Sequence, residues 1–127
     1  MKKLRILIID DDVPLTMAMK INLEATQRYE VRVENQALQA LSAAREFGPD
    51  LILLDVVMPD LDGGDVSYML KQDPALAKVP VVMVTALVSN EETGGSAVDR
   101  GGTPMVAKPI RFDKLLEIIE NEFARAH

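Results

Sequence analysis

Leu4-Arg5-Ile6-Leu7-Ile8-Ile9-Asp10-Asp11-Asp12 joins a short, nearly continuous branched apolar run to three successive carboxylates. A run of that length and composition suits a strand of a parallel sheet, buried on both faces. From Pro14 the pattern turns helical, with Leu15, Met19 and Leu23 at four-residue steps and Met17 and Ile21 beside them. Asp12 can cap that helix, and a proline is tolerated in a first helical turn. A buried strand, an acidic end and then a helix is the unit from which the rest of the chain is read.

Downstream the same alternation repeats. Glu30-Val31-Arg32-Val33-Glu34 alternates in polarity, as expected of an exposed edge strand. Asn35 then reads as the N-cap of a helix carrying Ala37, Leu38, Leu41 and Ala44, stopped by Gly48-Pro49. Leu51 to Leu54 forms a third strand ending on Asp55. Turn chemistry from Met58 to Gly63 leads into a helix through Val66, Met69 and Leu70. Val79 to Thr85 is a fourth buried strand with Pro80 at its start, and Met105-Val106-Ala107 a brief fifth. The last helix carries Phe112, Leu116, Ile119 and Phe123 as one stripe. Between strands four and five, Ser89-Asn90-Glu91-Glu92 is a capping box. Gly94-Gly95 weakens the helix it would start, predicting a short frayed helix or one beginning near Ser96. Five strands alternating with about five helices imply an α/β fold, an open parallel sheet with helices on both faces. No repeat or linker interrupts the pattern, so we expect one domain over residues 1–127 without an attached output domain.

Composition narrows the chemistry. Among 127 residues, 20 acidic against 14 basic side chains give a formal charge of −6, which argues against a nucleic-acid footprint or a polybasic membrane patch. Cysteine is absent and the one histidine is His127, so disulfides, thiolate metal sites, thiol nucleophiles and a histidine triad drop out. Carboxylate, hydroxyl, lysine and backbone chemistry remain. The apolar run after Lys2-Lys3 is interrupted by Arg5 and ended by Asp10, which fits neither a signal peptide nor a membrane span. A cytoplasmic location is the expectation.

In a doubly wound sheet the ligand site lies beyond the carboxyl ends of the strands. Those ends carry Asp10, Asp11 and Asp12, then Asp55, then Thr85, with Lys108 after the fifth strand. Each has a plain reading by itself: a solvated loop and helix cap, an Asx turn, a β-branched strand residue, a surface lysine. Their joint appearance at successive strand ends points instead to one site. Carboxylates gathered there repel one another unless a cation sits among them, and oxygen ligands alone favour a hard ion such as Mg²⁺.

With these residues the chain resembles the receiver domains of two-component response regulators over essentially its whole length. The resemblance rests on Ile8-Ile9-Asp10-Asp11, on Asp55-Val56-Val57-Met58-Pro59-Asp60-Leu61-Asp62-Gly63, on Met83-Val84-Thr85-Ala86 and on Lys108-Pro109. Spacings agree: 44 residues from Asp11 to Asp55, 30 on to Thr85 and 23 on to Lys108. It implies a flavodoxin-like, five-stranded (βα)5 fold of strand order 2-1-3-4-5. Asp55 would be the phosphoacceptor for a histidine kinase or histidine phosphotransfer protein. Asp11, Asp55 and the backbone carbonyl of Val57 would bind Mg²⁺ directly, and Asp10 largely through water. Thr85 and Lys108 would each hold a phosphoryl oxygen, and the Lys108-Pro109 bond would be cis. Strand register and the 44-residue spacing favour Asp10 and Asp11 as the acidic pair, leaving Asp12 as cap. Such a chain would be a self-phosphorylating and self-dephosphorylating switch for a downstream protein, or a relay intermediate, and not a turnover enzyme.

Two features, at three positions, depart from the family pattern. Met105 stands where the family usually has a switch aromatic, so we expect phosphorylation to act through ordering of residues 88–103. Val57 and Leu87, two residues after Asp55 and Thr85, are apolar and cannot orient an attacking water, which predicts slow dephosphorylation. Rival readings are a haloacid-dehalogenase-type phosphatase, from the Asp10-x-Asp12 spacing, a flavodoxin-like FMN binder, and a receiver-like interaction module. Phe112, Leu115 and Ile118 are candidates for a homodimer face, though a packed core stripe explains most of them as well.

Overall fold

Along β1 (Leu4–Ile9) successive side chains enter two different apolar layers, the condition under which a continuous apolar run makes sense. Ile6 and Ile8 pack with Met19 and Leu23 of α1 (Val13–Ala25) and with Leu115, Ile119 and Phe123 of α4 (Phe112–Ala126). Leu7 and Ile9 pack with Ala40, Ala43 and Ala44 of α2 (Ala40–Phe47) and with Val66 and Leu70 of α3 (Gly63–Gln72). The structure, a computed structural model, describes residues 2–85, 98–100 and 103–126.

The remaining strands are β2 (Tyr29–Glu34), β3 (Leu51–Asp55), β4 (Val81–Thr85), β5 (Val98–Arg100) and β6 (Thr103–Ala107), in the order β2-β1-β3-β4-β6-β5. Five of them are parallel and follow the expected 2-1-3-4-5 order, with β6 as the fifth. The sixth, β5, pairs antiparallel with β6 through Val98↔Met105 and Arg100↔Thr103. A helix running on from Ser96 is therefore wrong for residues 98–100. The capping box at Ser89, with Leu87 and most of the 88–103 segment, lies outside the described residues.

Helix termini follow local chemistry. Asp12 caps α1 by accepting the Leu15 N–H at 3.0 Å, and Asp62 caps α3 by accepting the Asp65 N–H at 2.8 Å. Gly48 ends α2 in the left-handed conformation at φ 65°. Asn35 does not cap the second helix. A 3₁₀ turn over Ala37–Gln39 precedes α2, and the Asn35 amide turns inward to other partners. Of the two readings of Phe112, Leu115 and Ile118, the core stripe is the one observed: Leu115 and Ile118 are buried in the α1–α4 layer, with Phe112 packed against it.

Candidate functional site

Register brings the strand ends together. Ile9 pairs with Leu54, which sets Asp10 beside Asp55; Asp55 pairs with Val84, and Thr85 pairs with Ala107, one residue before Lys108. Asp10, Asp11 and Asp55 each offer a carboxylate oxygen, and these atoms lie within 4.8 Å of one another. Lys108 Nζ reaches Asp10 Oδ2 at 3.1 Å and Asp55 Oδ1 at 3.5 Å. The Lys108 backbone N–H donates to the Thr85 carbonyl at 2.9 Å, and the Lys108-Pro109 bond is cis. Asp10, Asp55 and Thr85 are buried while Asp11 is exposed, so the site has a closed floor and one open carboxylate.

Electrostatics separates the residues. Burial pushes the Asp55 carboxyl up to about 6, helped by the negative charge of Asp10. Lys108 and the Val57 backbone N–H pull it partly back. For Lys108, burial works against the charged form, but the hydrogen bond and charge of Asp10, with the charge of Asp55, outweigh it and hold the ammonium above its ordinary value. Three carboxylates against one ammonium leave surplus negative charge at a largely buried place. The donors are all oxygen. This arrangement fits a hard divalent cation.

The loop after β3 is held from beneath. Met58 is buried against the α2–α3 layer, and the Gly63 N–H donates to the Val56 carbonyl at 2.7 Å. A Cβ on Gly63 would sit 2.5 Å from the Asp55 carbonyl oxygen and 2.8 Å from Val56 Cα. Only glycine lets α3 start this close to the strand that carries Asp55. Within the sequence Gly63 reads as turn chemistry; its contact with Asp55 depends on the returning helix. Val57, two residues after Asp55, is 57 % exposed and presents only an apolar side chain. Met105 is buried, in register with Met83 on β4. Asp12 caps α1 and is not one of the three carboxylates of the acidic cluster.

Comparison with known proteins gives the same architecture a family. The response regulator receiver domain family matches residues 6–120. Polar-differentiation response regulator DivK of Brucella ovis is 32 % identical over 117 residues, covering 91 % of this chain and 93 % of that protein. RpaA of Synechocystis sp., a DNA-binding dual master transcriptional regulator, is 35 % identical over 112 residues, covering 88 % of this chain and 46 % of that protein. Thus the chain spans about half the length of several of the curated relatives it matches. A CheY-like response regulator receiver domain protein from Methanospirillum hungatei superposes with a TM-score of 0.81 at 25 % identity, covering 98 % of this chain and 97 % of that one. Chemotaxis protein CheY4 of Vibrio cholerae, at 22 % identity and a TM-score of 0.80, shares the fold; the match covers 94 % of this chain and 98 % of that one. The chain belongs to the response regulator receiver domains, the switch modules of two-component signalling. Among the described residues no helix is long and apolar enough to cross a membrane.

Proposed function

We propose that Asp55 accepts a phosphoryl group from a phosphohistidine, on a histidine kinase or histidine phosphotransfer protein, in a Mg²⁺-dependent reaction. The observation that carries this reading is the meeting of three carboxylates within 4.8 Å beside the Lys108 ammonium. Asp10, Asp11, Asp55 and the backbone carbonyl of Val57 would hold the ion. When bound, the cation neutralises charge on the phosphoryl oxygens and on the crowded carboxylates. A carboxylate oxygen of Asp55 forms the new O–P bond while the P–N bond to the donor imidazole breaks, its electron pair staying on the ring nitrogen. Lys108 and the Thr85 hydroxyl then take phosphoryl oxygens, so the lysine exchanges its present carboxylate partners for the new dianion. Phosphoryl transfer needs positioning and charge neutralisation more than proton chemistry, and this rim offers both.

The chain acts as a switch and not as a turnover enzyme, with a downstream protein as its target. Slow hydrolysis of the acyl phosphate follows from Val57, which presents no polar group to a water. A panel of labelled phosphohistidine proteins tests the reading. Label moves to wild-type protein in Mg²⁺ and not to Asp55→Ala; a relay intermediate also returns it to a second histidine protein. Transfer to no member of the panel, from donors that phosphorylate another receiver, would leave a binding module.

A further inference from the structure

Asp10 is gripped at every polar group it has. Its N–H donates to the Glu34 carbonyl at 3.1 Å, its Oδ1 accepts the Asp12 N–H at 3.0 Å, and its Oδ2 faces Lys108 at 3.1 Å. The remaining group, the backbone carbonyl, accepts from Asn35 Nδ2 at 2.8 Å. The same Nδ2 also donates to Thr16 Oγ1 at 3.0 Å, using both amide hydrogens. Thr16 is buried, and its hydroxyl passes its own hydrogen to the Val13 carbonyl at 3.0 Å. Asn35 thus joins the end of β1, the first turn of α1 and the end of β2 through one planar group.

We infer that Asn35 is a positioning residue for the metal-binding carboxylates, acting through the Asp10 peptide and the Thr16 hydroxyl; this rests on the functional reading above. The Asp10 carbonyl belongs to the peptide that joins Asp10 to Asp11. Fixing that carbonyl fixes the plane of the peptide, and with it the direction in which the exposed Asp11 side chain leaves the chain. The two aspartates must point to one place despite being neighbours on a strand end, where successive side chains diverge. Asn35 supplies the constraint that strand geometry lacks. Its half-buried place, with both donors used on groups of the site, explains why it is absent from the helix cap that its position in the sequence suggests. Groups that orient metal-binding residues commonly change metal affinity by about tenfold or more when removed.

Four variants test the inference by calorimetric titration with Mg²⁺ and by thermal unfolding. Asn35→Ala, and Thr16→Val, which removes the hydroxyl at constant shape, each weaken Mg²⁺ binding, Asn35→Ala by about tenfold. Thr16→Ser keeps the hydroxyl and retains wild-type affinity. Arg45→Ala, remote from the site, loses stability with unchanged Mg²⁺ affinity. In phosphorylation by a small acyl phosphate, Asn35→Ala raises the Mg²⁺ concentration for half-maximal rate more than it lowers the rate at saturating Mg²⁺. Should Asn35→Ala fail to fold, the Thr16→Val and Thr16→Ser pair decides. Affinities equal to wild type in Asn35→Ala and Thr16→Val would overturn the inference. Wild-type protein that binds no Mg²⁺ would overturn the functional reading on which it rests.

Discussion

Two regions bury an aspartate, and they do so in opposite ways. At the end of α3, Asp73 is 8 % exposed, accepts from Arg45 Nε at 2.6 Å and from the Ala75 N–H at 2.9 Å. The hydrogen bond from Arg45 heads the causes that hold its carboxyl below the ordinary value. At the sheet rim, Asp55 is 4 % exposed, and burial beside Asp10 drives its carboxyl up to about 6. One aspartate is matched to its surroundings and serves the fold. The other is held where burial and a neighbouring carboxylate disfavour its charge, and the Lys108 ammonium beside it compensates only in part.

The comparison can be broken most severely at Gly63. Gly63→Ala forces a methyl against the Asp55 carbonyl and Val56 Cα, and should cost about 3 kcal/mol in denaturant unfolding, with weaker Mg²⁺ binding. An unchanged midpoint would mean the β3 loop yields easily. Next comes Val57→Asn, which puts a polar group two residues after Asp55. Loss of phosphate from purified phosphoprotein should quicken by about tenfold, and an unchanged half-life would refute the assignment of Val57 as the brake.

Removing charge sharpens the contrast. In metal-free protein at neutral pH, Asp55→Asn relieves crowding with Asp10. After discounting for solvent screening at the rim, it should stabilise the fold by on the order of 1 kcal/mol. Asp73→Asn should lower the unfolding midpoint. Two shifts of the same sign would erase the distinction between the regions. The smallest effect belongs to Arg45→Ala, whose side chain is largely exposed. Because Asp73 titrates below its unfolded value near 3.8, the stability it gains from Arg45 is present above that pH and lost as pH falls through the lower folded value. Wild type and Arg45→Ala should therefore differ at pH 7 and converge in strong acid.

Much of this was legible in the order of residues. The run from Leu4 to Ile9 and the strand ending at Asp55 coincide with observed strands, because burial on both faces leaves a continuous apolar signature. Asp10, Asp11, Asp55, Thr85 and Lys108 were recognisable as strand-end residues for the same reason. Asn35 reads as a cap in sequence because local capping and a distant carbonyl compete for one amide, and only the packed fold decides between them. β5 has a faint signal of its own: Gly101-Gly102 separates Val98–Arg100 from Thr103–Ala107 in sequence, the two-residue spacing of a hairpin. Three residues are too few to show periodicity. The role of Gly63 had no signal of its own, since the clash it avoids involves a strand end and a helix that meet only on folding.

The most direct measurement is intact mass after incubation with Mg²⁺ and a small acyl phosphate, beside Asp55→Ala and a metal-free control. The account predicts one added phosphoryl group that requires both the ion and Asp55. No adduct in folded, Mg²⁺-binding protein, or an adduct that survives Asp55→Ala, would contradict it.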